Sequence, residues 1–150
     1  MVEIRPHRRW YAIYVSLLIG IISLAACGKG QQSAKTVTEL NTPFQLKIGQ
    51  SAQVDPEGIT IDFLEVTEDS RCPEDVQCIV AGQVSTLVSI TMNGTVQGDY
   101  NLTIGSREEG AVAITPNGFT IQLKAVDPYP NTTQPIEPAD YIATFLVSEG

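Results

Sequence analysis

From Phe44 onward, apolar and polar residues alternate in short runs. Phe44-Gln45-Leu46-Lys47-Ile48 repeats with period two, as does Ile59-Thr60-Ile61-Asp62-Phe63. Val84, Thr86, Val88 and Ile90 share one face of the next run. Tyr100, Leu102 and Ile104 alternate with Asn101 and Thr103, and Phe119, Ile121, Leu123 and Ala125 alternate with Thr120, Gln122 and Lys124. Tyr141, Ala143, Phe145 and Val147 share a face near the end. Successive side chains of a strand point to opposite faces, so each run predicts a half-buried strand. None holds helical spacing over a useful length. Turn residues separate the runs at Asp55-Pro56-Glu57-Gly58, Asn93-Gly94 and Pro116-Asn117-Gly118, and Asn-Gly between two strands is a strong hairpin signal. Asp127 to Pro138 holds four prolines, which excludes a central strand and predicts a stiff connector. The expectation is an all-β domain over 44–150. About seven or eight strands would form an antiparallel, Ig-like β-sandwich or a small barrel.

The start of the chain breaks this pattern. Arg5, Arg8 and Arg9 precede an apolar run from Trp10 to Ala26 that only Ser16 and Ser23 interrupt. Small residues then lead to a cysteine in Leu24-Ala25-Ala26-Cys27-Gly28. A basic segment, an apolar segment and small residues at a cleavage point form a secretory signal. The alternative is an uncleaved transmembrane helix, but the run is at the short limit for spanning a bilayer. Leu-Ala-Ala-Cys resembles the lipobox of bacterial lipoproteins. The resemblance implies a signal peptide over 1–26, removed before Cys27, and a diacylglyceryl group on the Cys27 sulfur. It also implies acylation of the new amino terminus and a membrane partner held through these chains. Two or more chains hold where one is marginal. Gly28 does not resemble an inner-membrane retention signal, which favours an outer membrane where the cell has one. Residues 27–43 then read as the lipidated cysteine and a flexible tether, small and polar through Gly28-Lys29-Gly30-Gln31-Gln32-Ser33.

Composition narrows the function. The chain carries 9 Lys+Arg against 17 Asp+Glu, a net charge of −8. A protein that neutralises phosphates needs the opposite balance, so nucleic acid is excluded as a partner. Removal of 1–26 would take three arginines and one glutamate, leaving 6 basic and 16 acidic residues, net −10. It would also take His7 and Trp10, the chain's single His and single Trp. A domain without histidine lacks the usual general base near neutral pH and the commonest ligand for zinc, copper and iron. Ser-His-Asp and Cys-His catalysis are excluded, and no cofactor is expected.

Two cysteines remain for the domain. Cys72 and Cys78 have five residues between them in Asp69-Ser70-Arg71-Cys72-Pro73-Glu74-Asp75-Val76-Gln77-Cys78. Outside the cytoplasm they are expected to form a disulfide. A metal site would need further ligands, and a redox pair would need the tighter C-x-x-C spacing. Arg71, the single cation among Glu68, Asp69, Glu74 and Asp75, is expected to orient the loop through a carboxylate; a pair exposed to solvent would contribute little. Asp69-Ser70-Arg71-Cys72-Pro73 with Cys78-x-x-Ala81-Gly82 resembles a motif of small secreted or lipid-anchored bacterial proteins, D-S-R-C-P…C-x-W-A-G. Leu123 to Pro130 and Asp140-Tyr141 are similar to that group's last strands. The resemblance covers about Phe44 to Val147 and implies a β-domain and an envelope location. This sequence departs from the group at Val80, where Trp is usual, which disfavours a ligand role for an aromatic there and favours a packing role for the position.

Asp62, Glu65, Glu68, Asp69, Glu74 and Asp75 fall within fourteen residues. Calcium accepts such oxygens in irregular loops, so Glu68, Asp69, Glu74 and Asp75 are candidate ligands, although their spacing fits no EF-hand. A glycosidase pair is disfavoured in so small a domain without Trp for sugar stacking. Matches to the N-glycosylation pattern at Asn93, Asn101 and Asn131 read as chance in a bacterial lipoprotein. The expectation is a non-enzymatic, lipid-anchored cell-envelope protein acting as a binding or structural module. The alternatives are a calcium-binding interaction domain and a protease-inhibitor-like domain using the disulfide loop.

Overall fold

The computed structural model describes residues 35–105, 112–114 and 117–150. The proposed signal peptide over 1–26 and the lipidation site Cys27 lie outside the described residues. Nine strands are present among those described: β1 (Lys35–Glu39), β2 (Phe44–Lys47), β3 (Ser51–Asp55), β4 (Ile59–Asp69), β5 (Gln83–Met92), β6 (Thr95–Gly105), β7 (Val112–Ile114), β8 (Phe119–Asp127) and β9 (Ile142–Glu149). They form a five-stranded sheet, β1-β3-β4-β5-β6, and a four-stranded sheet, β2-β9-β8-β7. The fold is an all-β sandwich of two sheets rather than a closed barrel. All pairings are antiparallel except β1 with β3.

The core is the sum of the inward faces that the alternation specifies. Phe44 and Leu46 of β2, Ile59, Ile61 and Phe63 of β4, and Val84, Val88 and Ile90 of β5 are buried. Ile121 and Leu123 of β8 and Ala143, Phe145 and Val147 of β9 meet them from the other sheet. Phe145 lies 6.0 Å from Phe44 and packs edge-on to Phe63 at 5.8 Å. That edge-to-face pair crosses between the sheets and adds directional attraction to the burial of apolar area. Thr86 is buried too, with its hydroxyl donating to the Leu102 carbonyl at 3.3 Å, which satisfies a group that would otherwise cost stability in the core. At the β5–β6 hairpin Asn93 and Gly94 have φ of 49° and 79°, as the type I′ turn expected of Asn-Gly requires.

Three features depart from the sequence reading. Strand pairing begins at Lys35, inside the stretch read as tether, and Val37 of β1 is 67% exposed. This strand rests on backbone hydrogen bonds at a sheet edge and buries no apolar face, so its sequence carries no alternation to detect. In β8 a register shift between Leu123 and Ala125 carries the inward position to Val126, which is buried where Ala125 is not; an inserted residue reverses the facing of everything after it. The third is the count: nine strands replace seven or eight because β1, β3 and β7 are too short or too polar to register.

Candidate functional site

The far end of β4 and the start of β5 are joined by residues 70–82, and this segment gathers the charged residues singled out in the sequence. Cys72 and Cys78 are joined by a disulfide, with Cα atoms 5.9 Å apart. The neck of the loop is closed by backbone pairing, Ser70 N donating to the Gln83 carbonyl at 2.8 Å. The Ser70 hydroxyl adds 3.2 Å bonds to the same carbonyl and to a Glu68 carboxylate oxygen.

Arg71 turns back into the domain. Its Nε and Nη2 donate to the two oxygens of Asp69 at 2.8 and 2.7 Å. Nη1 donates to the Val126 carbonyl at 2.5 Å and Nη2 to the Pro128 carbonyl at 3.0 Å. The guanidinium carbon lies 4.7 Å from the centroid of the Tyr129 ring, a cation–π distance. The Tyr141 hydroxyl donates to Asp69 Oδ2 at 3.1 Å. The Arg71 and Asp69 side chains are 7% and 9% exposed. Arg71 thus orients the loop through a carboxylate, as expected, and β8 and the proline-rich connector shield the pair from solvent. A planar five-donor fork can serve one carboxylate and two carbonyls at once, so one side chain ties the end of β4 to β8 and to that connector.

The electrostatics follow the contacts. Burial pushes the Asp69 carboxyl up, but hydrogen bonds and positive charge from Arg71, with the Tyr141 hydroxyl, outweigh it and hold Asp69 below its ordinary value. Burial and the Asp69 charge push the Tyr141 phenol up. Asp75 is held down by the Thr132 hydroxyl and backbone N–H, the latter at 3.0 Å.

The four calcium candidates do not converge. Glu68 accepts from Ser70 and from Gln83 Nε2 at 3.3 Å, and Asp69 is taken by Arg71 and Tyr141. Glu74 accepts from Asn131 Nδ2 at 3.5 Å, and Asp75 accepts from Thr132. Among the described residues no group of three or more His, Cys, Asp or Glu is placed to hold a metal ion. Glu74 and Asp75 instead staple the loop to the connector, where the Glu74 N–H also donates to the Pro130 carbonyl at 3.0 Å. The sequence did not reveal these partners. Asn131 and Thr132 lie 57 positions away, and nothing local announces them.

Beside its exposed carboxylates the loop also presents apolar side chains to solvent. Val76 is 48% exposed, Val80 76%, and Ile79 fully exposed. The packing role expected at Val80 does not hold, because nothing covers that position. Beside the loop lies a cleft of about 310 Å³ lined by Ala81, Gly82, Ile104, Ala125, Lys124 and Tyr129, among others.

The disulfide closes a short ring on a loop already held by Arg71, Ser70 and Asp75. Reduction is expected to lower stability by about 2 kcal/mol without unfolding the domain, since both sheets keep their core. Urea denaturation with and without reductant measures this, and loss of the folded baseline in reductant alone would contradict it.

No family model matches the chain, and no match was found among curated proteins or solved structures.

Proposed function

We propose that the chain is a non-enzymatic, lipid-anchored protein of the bacterial cell envelope, whose sandwich serves as a binding or structural module. The observation that carries this reading is the pairing of Cys72 with Cys78. A stable disulfide suits a compartment outside the cytoplasm. It also accounts for two of the three cysteines, leaving Cys27 as the odd thiol, at the position where Leu24-Ala25-Ala26-Cys27 resembles a lipobox. The buried Asp69–Arg71 clamp supports the module part of the reading. It spends the site's charged groups on holding the loop's shape, and a shape held in advance loses less entropy on binding.

The test is the intact mass of protein extracted from membranes. It is expected to equal residues 27–150 plus acyl chains, and a Cys27→Ala variant is expected to leave the mature lipidated form unmade. A chain that keeps residues 1–26 and gains no acyl mass would overturn the reading.

A further inference from the structure

We propose that the disulfide loop docks on the lipid bilayer surface, with Val76, Ile79 and Val80 as the contact; this rests on the lipid-anchor reading above. Strand direction carries the argument. β4 runs toward the loop, β3 is antiparallel to β4, and β1 is parallel to β3. The chain therefore enters β1 at Lys35 travelling away from the loop end, so the open end of β1 is the one directed toward the loop. Lys35 pairs with Ser51, and Ser51 pairs with Asp62. Asp62 lies seven positions before Asp69, which is at the base of the loop, an overhang of about 23 Å at strand rise. Cys27 lies eight positions before Lys35, a contour of at most about 28 Å. At full extension the linker thus spans the overhang to the loop's base, so a tilted domain can bring the loop tip to a bilayer that holds the Cys27 lipid.

The loop's chemistry fits that surface. Three aliphatic side chains stand exposed on a loop that the disulfide and the Asp75–Thr132 bonds keep from folding back. Apolar side chains of this kind settle into the boundary between headgroups and acyl chains. Tyr129, half exposed beside Arg71, is a residue type enriched at that depth. The flanking carboxylates Glu68, Glu74 and Asp75 are engaged by Ser70, Asn131 and Thr132, and their charge favours a zwitterionic over an anionic surface. A covalent lipid raises the loop's local concentration at the bilayer, so weak contacts suffice. The opposite end, at the Asn93–Gly94 turn, offers Val96 as its exposed aliphatic.

The removal of Trp10 with the signal peptide makes the test direct, because the mature chain then has no tryptophan. Ile79→Trp and Val96→Trp variants of the full chain, both at exposed positions and so expected to fold, are purified as lipoprotein. They are then reconstituted into phosphatidylcholine vesicles with brominated acyl chains. The expected result is blue-shifted emission quenched by bromolipid for Ile79→Trp, and unquenched emission for Val96→Trp. Unquenched emission from Ile79→Trp in protein whose mass shows the lipid would overturn the docking while sparing the anchor, and would leave the loop facing a protein partner. Quenching of Val96→Trp alone would overturn it through the wrong orientation. A mass without acyl chains would overturn both readings.

Discussion

An Arg71→Ala variant is expected to lose about 1–3 kcal/mol of stability, because it leaves a partly buried carboxylate without its cation. Asp69 is 9% exposed and receives two of its bonds from the guanidinium. The same substitution strands the Val126 and Pro128 carbonyls. Arg71→Lys should recover only part of the loss, since an ammonium cannot reach one carboxylate and two carbonyls from a single plane. The pair also predicts a pH dependence. Asp69 has a folded pKa below its ordinary value of 3.8. Its ionised form therefore contributes stability above about 3.8, and that contribution is lost as pH falls through 3.8 toward the lower folded value. Denaturant midpoints across pH 2–6 should show wild type losing stability at the acid end, with a shallower slope in Asp69→Asn. Equal slopes would remove Asp69 from the account.

Gly82→Ala is the second large effect. A Cβ at Gly82 would lie 1.6 Å from the Ser70 carbonyl oxygen and 2.3 Å from its carbon. Both are backbone atoms in the neck of the loop, so no rotamer change relieves the overlap. The neck must open, breaking the Ser70–Gln83 pairing and pulling Arg71 from its seat. The expected cost is about 3 kcal/mol, the upper end for overpacking. Gly105→Ala is the matched control: its Cβ meets the Gln83 Cβ at 3.4 Å, an ordinary contact, and should change stability by about 0.5 kcal/mol or less. Urea midpoints of the two variants separate close approach from a general penalty for losing glycine in this region.

What the sequence disclosed depended on whether a residue's partner was local. Phe44, Leu46, Ile61 and Phe145 reveal their burial by alternating with polar neighbours, a signal confined to a few positions. The Asn93-Gly94 turn and the Cys72–Cys78 pair are readable on the same grounds. Val37 is invisible because β1 buries nothing, and Val126 because one extra residue in β8 breaks the count. The site was legible as composition but not as geometry. Asp69, Arg71, Cys72 and Gly82 stood out, yet Tyr141 lies 72 positions from Asp69 and Val126 lies 55 from Arg71. Without those distant partners an acidic loop looks the same whether it awaits a cation or already holds Arg71.

The parallel pairing of β1 with β3 has a mechanical consequence. Tension transmitted through residues before Lys35 along the strand axis pulls β1 lengthwise past β3. Every backbone bond from Lys35 to Glu39 is then loaded at once, in shear. An edge strand peeled from its end would instead release those bonds one at a time, under less force. Just beyond β1 the chain crosses sheets, with Asn41 N bonded to the Val147 carbonyl at 2.7 Å and β2 paired to β9. A pull that defeats the first sheet thus meets a grip on the second, and a weak five-residue strand acts as a strain relief for the core behind it.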